Sequence, residues 1–468
     1  MARMLWSLRS QSATVIDRWL WPTFVFLSLS WFLPGGVNTW ASSVAARQWI
    51  LGTFVATGLI FELLRGAKSS ISLRPLVVTH VPPVLALAFG GWTLVASRES
   101  DYQIESLTGS LRYGDSGALW YVGLSLAFVA TYFNVRRVSG GERRIAGAVA
   151  IAGVFLSVIA LVEVFLGRSL IIASDVVPVA TFMGPGHLAS ALVLAIGAIM
   201  GFATSRTRAA FAACLLVATA LGATGNRAGP IAVLLVAIAV AIMSRPKRTR
   251  VLALATAIVV GLTLGNVLAI QSNGHVTQVQ RTTTDTTSLT TRILLSKAAI
   301  NAIKSRPVFG FGGGDAFSAE WYTFLSPVDL GQFLELDHGF DRLEGIIDEG
   351  GGPPIFLNRR QSGEIQLHTI FNQKVHNQYL DVAVMWGLLG LALYVLTLLP
   401  ALPNVMRLQP AALAIATSSV FLIVWFSMFQ LEGAFWVCLA AACAGRPSAV
   451  VAGRDSNSGT EALAETQL

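Results

Sequence analysis

Residues 143–166 read RRIAGAVAIAGVFLSVIALVEVFL. Two arginines open the stretch, and the 22 residues after them carry a single charge, Glu163. At about 1.5 Å per residue, a helix of that length covers the roughly 30 Å hydrocarbon layer of a bilayer. Polar and apolar residues do not alternate along it, so it is not a barrel strand. Comparable runs recur near 19–34, 48–64, 76–96, 117–134, 184–204, 209–223, 228–243, 251–270, 377–399, 411–429 and 433–445. The chain therefore reads as an all-α polytopic membrane protein of about twelve transmembrane helices. Composition agrees: 54% of the 468 residues are hydrophobic, only 12% are charged, and mean hydropathy is +0.64. A soluble chain of this length needs more charge to cover its surface.

The basic residues orient these runs. Arg3, Arg9 and Arg18, then Arg65, Lys68 and Arg74, then Arg136, Arg137, Arg143 and Arg144 fall in alternate short segments. Arg206, Arg208, Arg245, Lys247, Arg248, Arg250, Arg407, Arg446 and Arg454 continue the series. Together they are 19 of the 33 Lys and Arg, whereas the intervening short loops hold only Arg47, Arg98, Arg112, Arg168 and Arg227. Positive charge is retained on the cytoplasmic side, so both termini are expected in the cytoplasm of a bacterial inner membrane protein. The net charge of +8 is mostly this topogenic charge, and no basic soluble domain remains for a nucleic acid.

Four parts follow: residues 1–270 with spans one to nine, a polar segment 271–375 facing outward, residues 376–446 with three more spans, and a tail 447–468. The tail is rich in Ser, Gly, Asn, Glu and Thr and reads as disordered. The first run fits an uncleaved signal anchor, despite a weak cleavage site at Ser43-Val44-Ala45. Cys214, Cys438 and Cys443 all lie in apolar runs, which favours free thiols packed as small hydrophobes.

The polar segment holds 11 of the 25 acidic residues and 9 basic ones. It opens on QRTTTDTTSLTTR, followed by RILLSKAAINAIKSRP. In the latter, Ile293, Leu294, Ala298, Ile300 and Ile303 fall near one helical face and Arg292, Lys297 and Lys304 are polar, which predicts an amphipathic helix at the membrane surface. Pro307 and the turn Phe309-Gly310-Phe311-Gly312-Gly313-Gly314 end it. No Lys-Ser/Thr follows the glycines, so nucleotide chemistry is excluded. Asp329, Glu335, Asp337, Asp341, Glu344, Asp348 and Glu349 surround His338 without a metal-ligand spacing and read as a solvated face.

Three places carry candidate chemistry. Val375-His376-Asn377-Gln378-Tyr379-Leu380-Asp381 stands where the polar segment returns to the membrane, with Gly387 and Gly390 beyond it. A histidine beside a helix N-terminus is kept neutral by the dipole and can accept a proton; the plainer alternative is a histidine anchoring a helix end. Thr224-Gly225-Asn226-Arg227-Ala228-Gly229-Pro230 puts an arginine at an outward helix junction, where a snorkelling topological arginine is the alternative. Arg292 opens the amphipathic helix and Lys297 follows about one turn later. Arginines suit a lipid-linked diphosphate, because guanidinium binds phosphate oxygens bidentately, and a neutral histidine can take the proton of an attacking hydroxyl.

His376-Asn377 with Gly387-x-x-Gly390, the Arg292 to Pro307/Gly310-x-Gly312 stretch, and Asn226-Arg227-Ala228-Gly229 resemble the bacterial O-antigen ligase and O-antigen polymerase-like superfamily over roughly residues 180–400. The resemblance implies a GT-C-like membrane glycosyltransferase, independent of metals and without cofactor. It implies transfer of a glycan from undecaprenyl diphosphate to a hydroxyl of a saccharide or glycolipid acceptor, with inversion. In that scheme His376 is catalytic, as base or by orienting the acceptor, and Arg227 and Arg292 bind the diphosphate; Lys297 and Asn377, beside them, are read as further substrate-binding residues. The sequence departs from the pattern at Leu295 and Ser296, where members usually carry an aromatic. An exopolysaccharide or O-antigen polymerase is the nearest alternative. A lipid-glycan flippase would show repeats and ionisable groups deep in the membrane, where Glu62, Glu163, Asp381 and Glu432 are few and mostly near helix ends. A metal-dependent oligosaccharyltransferase lacks its carboxylate, since Pro34 to Ala46 has no acidic residue.

Overall fold

A computed structural model describes residues 2–31, 40–66, 80–109, 117–172, 174, 176–182, 184–203, 207–243, 248–271, 276–277, 287–314, 316–348, 354–370, 374–426 and 429–444. Expectations for Pro34 to Thr39, Lys68, Arg74, Arg112, Arg206, Arg245, Lys247, residues 280–286, Glu349 and the tail fall outside the described residues.

Of the described residues, 77% are helical. The bundle is built from α1 (Ala2–Ser30), α2 (Trp40–Gly66), α3 (Val81–Arg98), the short α4 (Gln103–Thr108), α5 (Ala118–Arg137) and α6 (Gly141–Leu166). It continues with α7 (Pro185–Phe202), α8 (Thr207–Ala223), α9 (Ala228–Met243) and α10 (Arg248–Gln271). Among the described residues, five helices are long and apolar enough to cross a membrane: Ala118–Arg137, Gly141–Leu166, Pro185–Phe202, Thr249–Gln271 and Gln378–Met406. The quoted stretch is one of them, and Gly167, in the left-handed region at φ 63°, ends it. Apolar side chains face both ways. Ile231, Leu235, Ile238 and Ile242 form an exposed stripe on α9, while Val233, Val236 and Val240 are buried. That pattern suits a helix set in lipid.

The polar segment carries α11 (Thr287–Ser305), α12 (Ala316–Glu320) and α13 (Pro327–His338). It also carries an antiparallel sheet, Leu343–Ile347, Ile355–Arg359 and Ile365–Thr369, in the order of the chain. The helical membrane part agrees with the all-α reading, and this small sheet is an addition to it within the polar segment. Alternation in Ile365-Gln-Leu-His-Thr369, after a turn with Gly363 at φ 86°, is the signal that marks it. The helix face is corrected. Leu294, Leu295, Ala298, Ala299 and Ala302 pack against Phe311, Phe317, Trp321 and Phe333, whereas Ile293 and Ile300 are exposed. The segment thus has its own core, and that core takes the face one residue round from the expected one.

The chain then forms α14 (Gln378–Leu398), α15 (Leu402–Met406), α16 (Pro410–Phe421) and α17 (Phe429–Ala444). Helix α14 is broken at Gly387, where φ is 70° and ψ 179°, a conformation essentially confined to glycine. The turn after α11 fills the break. Leu388 N donates to Pro307 O, Phe311 N to Val384 O and Gly312 N to Met385 O, at 2.7–2.8 Å. Backbone groups freed by the break are satisfied this way, as a low-dielectric surrounding demands. Gly310, at φ 70°, lies against the carbonyls of Val384 and Met385. Ser100 Oγ donates to Phe311 O at 2.6 Å, and Trp92 Nε1 donates to Trp386 O at 2.8 Å. The glycine-rich stretch is a docking turn.

Helix α16 stops at Phe421, although the apolar run 411–429 predicted a longer span. At roughly 18 Å it is too short for the hydrocarbon layer, so the turn at 422–426 is set below the level that full-length helices reach. Glu163 organises the neighbouring loop, accepting Val179 N and Ala180 N at 2.8 Å and Leu170 N at 3.0 Å. That loop leads into α7. The three cysteines are free and buried, as expected.

Candidate functional site

Trp425 gathers the site. Its ring stacks on Phe426 at 5.4 Å, and the Arg292 guanidinium lies over it, 5.1 Å from the centroid. His376 stands edge-on to both rings, at 5.3 Å from Trp425 and 5.0 Å from Phe426. His187, in the first turn of α7, meets the same Phe426 at 5.9 Å. Two histidines and an arginine thus converge from α7, α11 and the start of α14 on one aromatic pair.

Local sequence dictates each placement. Asn377 caps α14, its Oδ1 accepting Tyr379 N at 3.0 Å and Leu380 N at 3.1 Å. Gln378 N donates to Leu422 O and Trp425 O at 3.0 Å, which ties the helix start to the tryptophan turn. Asp381 Oδ1 accepts Val375 N at 2.7 Å, one residue before His376. His376 itself has φ 60°, a left-handed conformation that non-glycine residues rarely adopt. The Asn377 cap and the Asp381 bond bracket that strained residue and hold it. Its Nδ1 is buried with no hydrogen-bond partner.

Burial, the positive charge of Arg292 and that of His187 together push His376 down to about 3. The imidazole is neutral, as the sequence suggested, but the leading cause is desolvation rather than the helix dipole. Burial also lowers Arg292 from the ordinary arginine value.

The other sequence candidates are spread around this centre. Arg227 is exposed at the start of α9, behind a turn in which Asn226 Oδ1 accepts Gly229 N at 2.9 Å. A side chain at Gly229 would stand 3.2 Å from Val193 of α7. Val193 is roughly 9 Å along the α7 axis from His187, and Arg227 stands two residues before Gly229 in the chain. Lys297 donates to Asp329 Oδ2 at 2.6 Å on the surface of the polar segment. The Asn377 amide oxygen serves the helix cap. Leu295, where an aromatic was missed, is buried in the segment's core, and Arg292 finds its ring in Trp425 instead.

The acidic residues are dispersed in separate pairings. Asp329 takes Lys297, Glu344 takes Arg359 at 2.7 Å, Asp348 accepts the Tyr322 hydroxyl at 2.7 Å, and Asp341 accepts Gln361 N at 3.1 Å. Among the described residues no three His, Cys, Asp or Glu converge as metal ligands.

Sequence reasoning missed His187 and the Trp425–Phe426 pair. Gly184-Pro185-Gly186-His187, opening a helix, was the available signal for the first. The second sits within an apolar run and gives none.

A polytopic helical membrane protein with a basic, aromatic-framed site at one end is the class this geometry defines. Residues 212–395 match the family model described as O-antigen ligase, which supports a likeness to the O-antigen ligase-like superfamily and to enzymes of ligase or polymerase type. No curated protein and no solved structure matches the chain. The match contains Arg227, Arg292 and His376; His187 and Trp425 lie outside it.

Proposed function

We propose that the chain transfers a glycan from undecaprenyl diphosphate to a sugar hydroxyl at the outer face of the bacterial inner membrane, as an O-antigen ligase does. The observation that carries this reading is the meeting of Arg292 and His376 on Trp425. The diphosphate pairs with Arg292, and Arg227 approaches it from α9. The acceptor oxygen attacks the anomeric carbon, forming the new C–O bond as the bond to the diphosphate oxygen breaks with its electron pair. Arg292 stabilises the charge on the departing diphosphate. The hydroxyl proton passes to His376, whose neutral state leaves it able to accept. A bound diphosphate offsets the Arg292 charge, which raises His376 from its low resting value toward a useful base strength. Direct displacement inverts the anomeric centre.

Lys297 and Asn377 contribute indirectly in this scheme, one through the Asp329 pair and the other through the helix cap. The matched family covers ligases and polymerases in general terms, so joining two lipid-linked repeat units is the second reading. Purified variants in nanodiscs test the scheme. His376→Ala loses turnover by roughly 10²–10⁴, the range of a lost general base, with donor binding retained, whereas Arg292→Ala loses donor binding. Normal donor binding and turnover in Arg292→Ala refute it. Surface polysaccharide from a deletion strain separates the two readings: unattached polymer marks a ligase, single repeat units a polymerase.

A further inference from the structure

Histidine 187 lies outside the matched region, and the transfer scheme does not use it. Its surroundings are nevertheless built around it. Gly186, the residue before it, lies against the Trp425 ring, where any side chain would overlap the indole. A side chain at Gly184 would reach within 3.7 Å of His187 Nδ1. Gly186 thus leaves room for the tryptophan, while Gly184 lies within ordinary contact of the imidazole. His187 shares Phe426 with His376, keeps partial exposure, and is a near basic neighbour of His376. The charge acting on His376 is that of Arg292, and His187 is a second basic neighbour. It sits in the first turn of an 18-residue helix, whose positive dipole end favours an anion.

We propose that His187 is a further binding residue of this site, donating a hydrogen bond to the diphosphate that Arg292 pairs with. The inference rests on the proposed donor site and adds a third basic ligand from α7. An imidazole suits this place because its flat ring fits edge-on against Phe426 and a ring N–H can donate to a phosphate oxygen.

The test uses the full chain in nanodiscs with undecaprenyl diphosphate as the probe. His187→Ala weakens binding about tenfold, the loss expected of one charge-assisted hydrogen bond. His187→Gln, which keeps an N–H donor, recovers most of it. On the wild type, diethyl pyrocarbonate labelling of His187, read by mass spectrometry, falls several-fold when the probe is bound. That measurement stands even where a variant does not fold. Unchanged labelling overturns the inference, as does wild-type affinity in His187→Ala while Arg292→Ala loses binding. Wild-type affinity in both variants overturns the donor site itself.

Discussion

Replacing Gly387 by alanine tests how the polar segment is joined to the membrane helix. The residue has φ 70° and ψ 179°, and a Cβ there would overlap the Val308 carbonyl. That contact is backbone, so no side chain can rotate away. Relief requires the turn at 307–312 to lift off, which breaks the three hydrogen bonds from Leu388, Phe311 and Gly312. Each is worth roughly 0.5–1.5 kcal/mol, and holding alanine in a glycine conformation costs roughly 1–3 kcal/mol. The docked state should therefore lose about 5 kcal/mol, enough to undock the turn in most molecules. Limited proteolysis between Pro307 and Gly314 should become fast, and thermal unfolding in detergent should begin several degrees earlier. Donor transfer should fall with it, because Arg292 and His376 lie on the two bodies the turn joins. Wild-type protease resistance and thermal stability in Gly387→Ala would refute the reasoning.

Four further outcomes follow from the site. Since His376 is held near 3 in the free protein, kcat/KM should show no fall centred on the ordinary histidine pKa of about 6.5. Removing the Arg292 charge raises the His376 pKa, so an imidazole NMR titration of Arg292→Ala should show it protonating at higher pH than in the wild type. Asp381→Asn keeps an acceptor for Val375 N and should retain most turnover, whereas Asp381→Leu should lose turnover through misplacement of His376; equal activity in the two would remove Asp381 from that role. Asn377→Ala should cost only ~1 kcal/mol of stability, as a lost N-cap does, measured by thermal unfolding, with turnover falling less than in His376→Ala.

The sequence made the spans visible because lipid exposure leaves long runs without charge, as Ile145 to Leu166 shows. The same property hid the end of α16: Phe421-Leu-Ile-Val-Trp-Phe426 is as apolar as the helix before it. What stops that helix is Gln378 reaching the carbonyls of Leu422 and Trp425, a contact between residues distant in the chain. Arg292 and His376 were legible through their motifs and their unusual position at the membrane boundary. Their convergence on Trp425 was not, since apolar aromatics carry no local mark of the cations they will hold. The helix face of α11 was misjudged for a similar reason: Ile293 and Leu294 are alike in hydropathy, and only the packed core decides between them.

The break in α14 bears on how such proteins can diversify. The polar segment supplies the donors that complete a membrane helix, so neither piece is finished without the other. An outer segment grafted from a relative would bring its own turn but meet a foreign break, and the two would have to match at 307–312 and 384–388 together. Variation in acceptor preference should accordingly be carried by the sheet and by α13, outside the residues that form this joint, while the joint and the membrane helix are inherited as a pair. Chimaeras cut at residues 315 and 370 should fold, and chimaeras cut at 306 and 376 should not.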